Sequence, residues 1–210
     1  MSKIERTYYD NNKLKTEVFV VNGKKNGEAK YYYHTGELNI SAIYIDDKLN
    51  GEYKYYNRDG KLILIKVYID GLLNGESIIY YENRQIESIL MYVNGIQHGE
   101  YKSFYENGQL KIECVYINDK INGKEIEYYE NKRIKSICTY IDDLKDGENI
   151  KYYDNGELES ICNYSNDKKE GEERKYYRNG QVKQICKYIN NKKKGEVKSY
   201  SEDGTEKCLI

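Results

Sequence analysis

Hydrophobic and polar residues alternate along short segments of the chain, and turn-forming residues interrupt the alternation about every twelve residues. The segment from Gly99 to Tyr105, for example, is followed by Glu106-Asn107-Gly108 and then by residues 109–117. Alternation with a period of two is typical of half-buried β-strands, and segments this short do not favour helices. The pattern therefore predicts an all-β protein.

The whole pattern repeats with a period of 24 residues. A glycine starts each copy: Gly27, Gly51, Gly75, Gly99, Gly123, Gly147, Gly171 and Gly195. An aromatic residue follows five positions later, and a tyrosine follows seventeen positions later in seven copies: Tyr44, Tyr68, Tyr92, Tyr116, Tyr140, Tyr164 and Tyr188. A fixed phase over so many copies indicates a repeat architecture. We predict tandem β-hairpin repeats that form one elongated, twisted antiparallel meander sheet, on the order of 75 Å long from the usual strand spacing.

Two sets of turn residues separate the predicted strands. The first set contains Asn107-Gly108, Asn155-Gly156, Asn179-Gly180 and Asp59-Gly60, and the second contains Asn26-Gly27, Asn50-Gly51, Asn74-Gly75, Asn122-Gly123 and Asp146-Gly147. Primed hairpin turns require positive φ, which Gly and Asn tolerate, so we expect hairpin turns of this kind at both sets. Arg84 and Lys132 replace the glycine of the first set. We expect positive φ at both of these residues.

The copies at the two ends of the chain depart from the repeat. Lys3 stands where the first glycine would fall, and Val20 replaces the tyrosine. Glu206 stands eleven positions after Gly195, where the other copies have an aliphatic residue. Terminal units of a repeat array are atypical because they cap the stack. We therefore predict an N-terminal capping half-repeat over 1–26, seven full repeats over 27–194 and an incomplete capping repeat over 195–210.

The composition narrows the function classes. The chain has 26 tyrosines, no proline, no tryptophan and a mean hydropathy of −0.93, which predicts a thin layer of half-exposed rings rather than a large core. Its net charge of −1 lacks the basic field that binds phosphates, so we expect no nucleic-acid partner. The sequence shows no apolar run of membrane-spanning or signal-peptide length. We expect no membrane insertion and a cytoplasmic location.

No group of residues stands out as a catalytic or metal site. His34 and His98 are predicted to lie at turns in different repeats, where solvent exposure is the expected state. The acidic pairs Asp46-Asp47 and Asp142-Asp143 do not supply the six to eight oxygens that Ca²⁺ requires. Glutamates after the glycines alternate with lysines two residues later, as at Glu28 and Lys30, which predicts a solvated charge ladder. We expect no enzyme activity, no cofactor and no metal.

Four of the five cysteines share one repeat position: Cys114, Cys138, Cys162 and Cys186. Equivalent positions two strands apart are separated by about 9.6 Å, which exceeds the Cα separation of a disulfide. Zinc would need sulfur atoms that converge on one point, which a ladder cannot provide. We predict buried free thiols at these four positions and an exposed thiol at Cys208.

One stretch resembles a known family. The segment Phe104-Tyr105-Glu106-Asn107-Gly108-Gln109-Leu110, followed by Tyr116 and Gly123, resembles the repeated core of bacterial MORN-repeat variants, which are also labelled YwqK-type antitoxin components. The resemblance extends over essentially the whole chain. It implies arrays of β-hairpins that act as interaction modules without established catalysis.

Two functions remain open. The first is a non-catalytic, monomeric repeat scaffold that binds a protein partner, because tyrosine forms interface anchors at low entropic cost. The second is an antitoxin-like or immunity protein that binds one dedicated toxin. The predicted contact residues are Tyr53, Tyr101, Tyr44, Tyr68, Tyr92, Tyr116 and Tyr140. The alternative for each tyrosine is that it only seals the thin core of the sheet.

Overall fold

The computed structural model describes residues 1–207, which form eighteen β-strands and no helix. They divide into two compact units, of which unit 1 covers Met1–Gly108 and unit 2 begins at Gln109. Unit 1 contains β1 Ser2–Tyr8, β2 Leu14–Val21, β3 Lys24–Tyr32, β4 Leu38–Ile45, β5 Lys48–Tyr56, β6 Leu62–Ile69, β7 Leu72–Tyr80, β8 Ile86–Val93 and β9 Ile96–Phe104. Unit 2 contains β10 Leu110–Ile117, β11 Lys120–Ile121, β12 Gly123–Tyr128, β13 Ile134–Ile141, β14 Leu144–Tyr152, β15 Leu158–Ser165, β16 Lys168–Tyr176, β17 Val182–Ile189 and β18 Lys192–Ser199.

Strands that follow each other in sequence pair antiparallel within each unit. In unit 1 this gives an unbroken meander from β1 to β9. In unit 2, β10 pairs with both β11 and β12, and the meander then continues to β18. The predicted all-β architecture of tandem antiparallel hairpins with a 24-residue period is confirmed.

Each sheet has two chemically different faces. Side chains alternate across a strand, so Ala29 and Tyr31 of β3 share one face with Ile40, Ala42 and Tyr44 of β4. We call this face, with the equivalent positions of the other repeats, the tyrosine face. The opposite face is formed by the residues that alternate in sequence with these, and it is called the charged face.

The core of each unit is a narrow line of small side chains on the tyrosine face. Ala29 pairs with Ala42, and both are fully buried in unit 1. In unit 2 the position of Ala42 is occupied by the buried, unpaired thiols of Cys138, Cys162 and Cys186, and Cys114 is buried in the same way. The predicted buried free cysteines are confirmed. Cys208 lies outside the described residues.

The two-residue hairpin turns lie four residues before the predicted second set. Asp46 and Asp47 form one of them with φ of 47° and 67°, and β5 already begins at Lys48. The prediction that Asn26-Gly27 and its equivalents form turns is therefore wrong. Asparagine and aspartate tolerate left-handed backbone without glycine, so glycine alone was a misleading marker of the turn.

Gly27 instead forms a bulge inside β3. Val18 pairs with Ala29 and Val20 pairs with Lys25, so residues 26–28 lie opposite Phe19 alone. Gly27 has a φ of 125°, and a Cβ atom there would lie 2.9 Å from Phe19 Cδ1. Glycine is required because the backbone is left-handed and a neighbouring side chain occupies the space.

The first set of turns is correctly placed but has a different geometry from the prediction. Gly36 N donates to Tyr33 O over 2.9 Å, and Tyr33 N donates to Glu37 O over 2.8 Å. This is a three-residue loop whose glycine closes a type I turn with a bulge, rather than a primed turn. The predicted positive φ of Arg84 and Lys132 is confirmed, at 70° and 68°.

The turns of successive repeats are joined by hydrogen bonds. Tyr81 donates its hydroxyl to Phe104 O over 2.7 Å, and Asn83 Nδ2 donates to Glu106 O over 2.8 Å. The same tyrosine-to-carbonyl bond recurs at Tyr9, Tyr33, Tyr129, Tyr153 and Tyr177. These tyrosines therefore bind one repeat to the next.

The acidic turn pairs have a similar structural role. Lys25 N donates to Asp47 Oδ1 over 2.8 Å, while Asp47 N donates to Lys25 O over 3.0 Å. Asp143 forms the same pair of bonds with Ile121. The carboxylates therefore stabilise the edge of the sheet.

Candidate binding surface

The tyrosine face of unit 1 carries a cluster of half-buried rings. The rings of Tyr53 and Tyr68 meet edge to face, with centroids 6.1 Å apart and an interplanar angle of 69°. Tyr31 and Tyr44 approach through their hydroxyls at 3.4 Å, and the Lys25 amine lies 5.5 Å and 4.8 Å from their ring centroids. Both the ring contact and the cation–π contacts hold these side chains in defined positions.

The structure distributes the predicted contact tyrosines over both units, all at half-buried positions of the tyrosine face. Those of unit 1 are Tyr44, Tyr53, Tyr68, Tyr92 and Tyr101, and those of unit 2 are Tyr116 and Tyr140. Tyr53 and Tyr68 are in direct contact, whereas Tyr140 places its hydroxyl 3.4 Å from Glu125 Oε1. The rings therefore both pack on the sheet and present an edge to solvent.

Partial burial changes the acidity of these hydroxyls. Burial is the main cause that raises the pKa of Tyr44 to about 12, with a further contribution from Tyr31. Burial also raises the pKa of Tyr53 and of Tyr68 above their usual value. The hydroxyls remain protonated at neutral pH and can donate hydrogen bonds to a partner.

A second row of the same face was missed in the sequence. It is half-buried, crosses the strands of unit 1 next to the predicted tyrosines, and contains Tyr31, Ile40, Tyr55, Leu64 and Ile79. The Tyr55 and Tyr33 hydroxyls lie 3.3 Å apart. The sequence could have indicated this row, because Tyr31 and Tyr55 follow Ala29 and Tyr53 by two residues. Residues two apart in a strand lie on the same face.

The tyrosine face of unit 2 has a different chemistry in the equivalent row. That row contains Ser136, Lys151, Ser160, Lys175 and Gln184. The neighbouring column contains the half-buried Glu125 and the buried Asn149 and Glu173. A cavity of about 360 Å³ opens there, lined in part by Lys151, Ser160, Glu173 and Lys175. From β3 to β7, unit 1 therefore presents aromatic and aliphatic side chains in this row, which continues through Ser88 and Ser103 in β8 and β9. From β13 to β17, unit 2 presents amines, hydroxyls and an amide in the row, with carboxylates beside it.

The charged face carries the predicted ladder of ion pairs. Lys30 pairs with Glu28 at 3.0 Å, and the pattern recurs two strands on, where Lys54 pairs with Glu52 at 2.6 Å. The third such pair joins Lys102 and Glu100 at 2.7 Å. These ion pairs are exposed and contribute little to the stability of the fold. Their main effect is to make this face a solvated surface.

The two histidines lie in different kinds of backbone element. His34 lies in a turn as predicted, but His98 lies in β9, so its predicted turn position is wrong. The adjacent Gly99 also lies inside the strand, although the sequence predicted turns at the equivalent glycines. Among residues 1–207, no three His, Cys, Asp or Glu side chains are arranged to hold a metal ion. The described part of the chain also contains no helix long and apolar enough to cross a bilayer.

Tandem hairpins joined turn to turn define a β-repeat protein. A family model described as the MORN repeat variant matches seven segments: 2–22, 25–46, 49–70, 97–118, 121–142, 145–166 and 169–190. The chain belongs to the MORN repeat variant family. Residues 73–94, which lie between two matched segments, form the same hairpin through β7 and β8.

The chain matches no curated protein sequence. Among solved structures, those of TcdB2-TccC3 and TcdB2-TccC3-Cdc42 are similar to 94% of this chain at 12% and 11% identity, with TM-scores of 0.26 and 0.25. The chain spans 13% of the length of each. A porin-like protein from Bacteroides uniformis is similar over 92% of both chains at 7% identity, with a TM-score of 0.22.

Proposed function

We propose that this protein is a non-catalytic repeat scaffold that binds a protein partner through the tyrosine face of unit 1. The observation that carries the proposal is the edge-to-face contact of Tyr53 and Tyr68, whose rings are half-buried in the free protein. Rings fixed before binding lose little entropy when a partner covers them. Aromatic anchors of this kind dominate the energy of many interfaces.

The surroundings of these two rings support a binding role. Tyr31, Tyr55, Leu64 and Ile79 extend the half-buried surface along the neighbouring row. The tyrosines that join the turns lie elsewhere, and their hydroxyls are already bonded to backbone carbonyls, as in Tyr81. The structural and the contact tyrosines are therefore separate sets.

The polar residues support a role without catalysis. Glu28, Glu52 and Glu100 repeat one environment on successive hairpins. Catalysis requires a unique arrangement of acid, base or nucleophile, and these carboxylates share a single structural arrangement. We accordingly propose that binding is the activity of this face.

The test is affinity capture with the intact protein and with a Tyr53→Ser/Tyr68→Ser double variant. A partner of the tyrosine face should be retained by the wild type and lost, by about a hundredfold in affinity, with the double variant. Ile45→Ser is the matched control, because Ile45 is an exposed apolar residue on the charged face of the same unit. Equal retention by the wild type and the double variant, both folded by circular dichroism, would contradict the proposal.

The identity of the captured partner decides between the two functions that the sequence left open. Co-expression of the partner alone and with this chain measures whether the partner inhibits growth and whether the chain relieves it. Relief that is lost with the Tyr53→Ser/Tyr68→Ser variant would make the chain an antitoxin-like protein. A partner without effect on growth favours a scaffold.

A further inference from the structure

The cavity on the tyrosine face of unit 2 contains a buried carboxylate with an unused acceptor. The Glu173 side chain is 4% exposed, and its Oε1 accepts a hydrogen bond from Lys169. Glu173 Oε2 forms no hydrogen bond of good geometry with a described residue. The Lys175 amine lies 3.7 Å from it, and the Tyr188 hydroxyl is close enough to the carboxylate to help lower its pKa. A buried acceptor without a donor is costly, so this oxygen is suited to a donor supplied by a ligand.

Glu173 is charged at neutral pH. Burial alone would raise its pKa, but the hydrogen bond and charge of Lys169 and the charge of Lys175 outweigh burial and hold the pKa below its usual value. An ionised carboxylate accepts hydrogen bonds and donates none. The ligand group that meets Oε2 must therefore carry an O–H or N–H.

A cationic row borders the same cavity. Ser160 of β15 pairs with Lys151 of β14 on one side and with Lys175 of β16 on the other. Two strands apart means about 9.6 Å between the lysine backbones, a distance that two flexible lysine side chains can close around one anion. No described residue forms an ion pair with Lys151 or a hydrogen bond with the Ser160 hydroxyl. Lys151 and Ser160 are therefore free to bind an anion beside Lys175, whose amine is 3.7 Å from Glu173 Oε2.

The charges and walls of the cavity define the ligand further. Lys151, Lys169, Lys175 and Lys183 line it together with two carboxylates, Glu159 and Glu173, which leaves an excess of positive charge. Three rings, those of Tyr153, Tyr164 and Tyr176, form part of its wall. Its volume of about 360 Å³ lies near the small end of ligand pockets.

We propose that this cavity binds a sugar that carries a carboxylate, such as a hexuronic acid. The sugar carboxylate is held by Lys151, Lys175 and the Ser160 hydroxyl, and a ring hydroxyl donates to Glu173 Oε2. The C–H face of the sugar lies against the tyrosine rings. Sulfate or chloride would satisfy the lysines but provide no donor for Glu173, and a neutral sugar would leave the lysines without a counter-charge.

The first experiment is isothermal titration calorimetry of the whole protein with D-glucuronate at low ionic strength. Glucose and cyclohexanecarboxylate are the matched probes, because one lacks the carboxylate and the other lacks the hydroxyls. Glucuronate should bind at least about tenfold more tightly than either probe, since each lacks one set of charge-assisted hydrogen bonds. Absence of saturable binding at millimolar glucuronate, or equal binding of cyclohexanecarboxylate, would overturn the proposal.

The second experiment assigns binding to this cavity. Lys151→Gln and Glu173→Gln should each weaken glucuronate binding about tenfold, because each removes a charged hydrogen-bonding partner. Lys187→Gln is the control, since Lys187 is exposed on the charged face of the same unit. If Glu173→Gln fails to fold, Ser160→Ala replaces it, with a smaller loss of affinity.

Amide chemical shifts locate the ligand independently of any variant. Glucuronate should perturb the amides of residues 149–175 on the tyrosine face of unit 2. Perturbations confined to other segments would contradict the assignment, as would an equal loss of affinity with Lys187→Gln. An acidic peptide that binds the cavity more tightly than glucuronate would assign it to a protein partner and would overturn the sugar proposal.

Discussion

At the scale of single residues, the backbone conformation of the turns explains which side chains the repeat tolerates. The described non-glycine residues with positive φ are Asn or Asp at every position except Arg84 and Lys132. Asn and Asp adopt left-handed backbone at low cost, whereas a long side chain pays a larger steric cost. Arg84 and Lys132 are therefore the two strained turn residues of the chain's described part.

Replacing either of these residues with glycine should stabilise the protein. Arg84→Gly and Lys132→Gly relieve the strain of a left-handed residue, so each should raise the free energy of unfolding by about 0.5 to 1 kcal/mol. Urea unfolding measures the change. Gly60→Ala is the reverse control. Gly60 has a φ of 71°, and an added Cβ would meet no neighbouring atom, so the alanine variant tests the backbone strain alone and should lose about 1 kcal/mol of stability. Unchanged midpoints in the two glycine variants would contradict this reading.

The raised pKa of Tyr44 makes the stability of the folded protein depend on pH in the alkaline range. The folded protein holds the pKa of Tyr44 at about 12, against an ordinary value of 10.0. Between these values the unfolded chain has lost a proton that the folded protein retains, so stability is full below pH 10 and falls as pH rises towards 12. Urea midpoints at pH 8 and pH 11 should show this fall, and Tyr44→Phe should make it smaller. An identical fall in Tyr44→Phe would assign the effect to other groups.

At the scale of elements, the hairpins are joined through their turns as well as through their strands. The Tyr81 hydroxyl of one turn reaches the Phe104 carbonyl one repeat later, and Asn83 makes a parallel bond to Glu106. The opposite edge of the sheet is closed by reciprocal bonds such as those between Lys25 and Asp47. Both edges therefore add specific polar contacts to a meander whose core is only a line of small residues.

Removing one of these hydroxyls should weaken the contact between neighbouring hairpins. Tyr81→Phe deletes a part-buried hydrogen bond and leaves a carbonyl without its partner, so we expect a loss of about 1 kcal/mol. Tyr80→Phe is the matched control, since the adjacent Tyr80 hydroxyl makes no hydrogen bond with a described residue. Thermal unfolding of both variants tests the difference. Equal melting temperatures would show that the turn bond contributes nothing to stability.

At the scale of the whole molecule, every strand pairs only with strands near it in sequence. Stability is then the sum of local hairpins and their interfaces, and repeats become removable units. The two units use one backbone pattern to present different tyrosine faces, aromatic around Tyr53 and polar around Glu173. The repeat therefore keeps the backbone architecture constant, while the side chains of the tyrosine face differ between the two units.

Deletion of one complete repeat should therefore leave a folded protein. Removing residues 123–146 joins Asn122 to Gly147 in phase, so each remaining strand keeps an equivalent neighbour. We expect cooperative urea unfolding with a slope about a tenth smaller, in proportion to the surface lost. Deletion of residues 123–134 is the control, because removing half a repeat takes out one strand and gives every later strand the wrong direction for antiparallel pairing. This variant should lose cooperative unfolding. Loss of folding in both variants would contradict a modular array.

The sequence by itself determined the strands, the period and the buried cysteine column. Those features follow from local rules, because alternation sets the faces of a strand and a fixed phase of 24 residues repeats the unit. The sequence also indicated the strained turns at Arg84 and Lys132, whose positive φ is a local requirement of the loop.

Only the tertiary structure decided which glycines bend strands and which tyrosines are free to bind. Gly27 has the sequence environment of a turn, but the packing of Phe19 against it makes it a bulge. Tyr80 and Tyr81 are adjacent in sequence, yet only the hydroxyl of Tyr81 reaches the carbonyl of the next repeat. The cavity around Glu173 depends on side chains from several strands that meet only when the sheet forms. Such contacts depend on register and on the space that neighbours leave, and a single strand encodes neither.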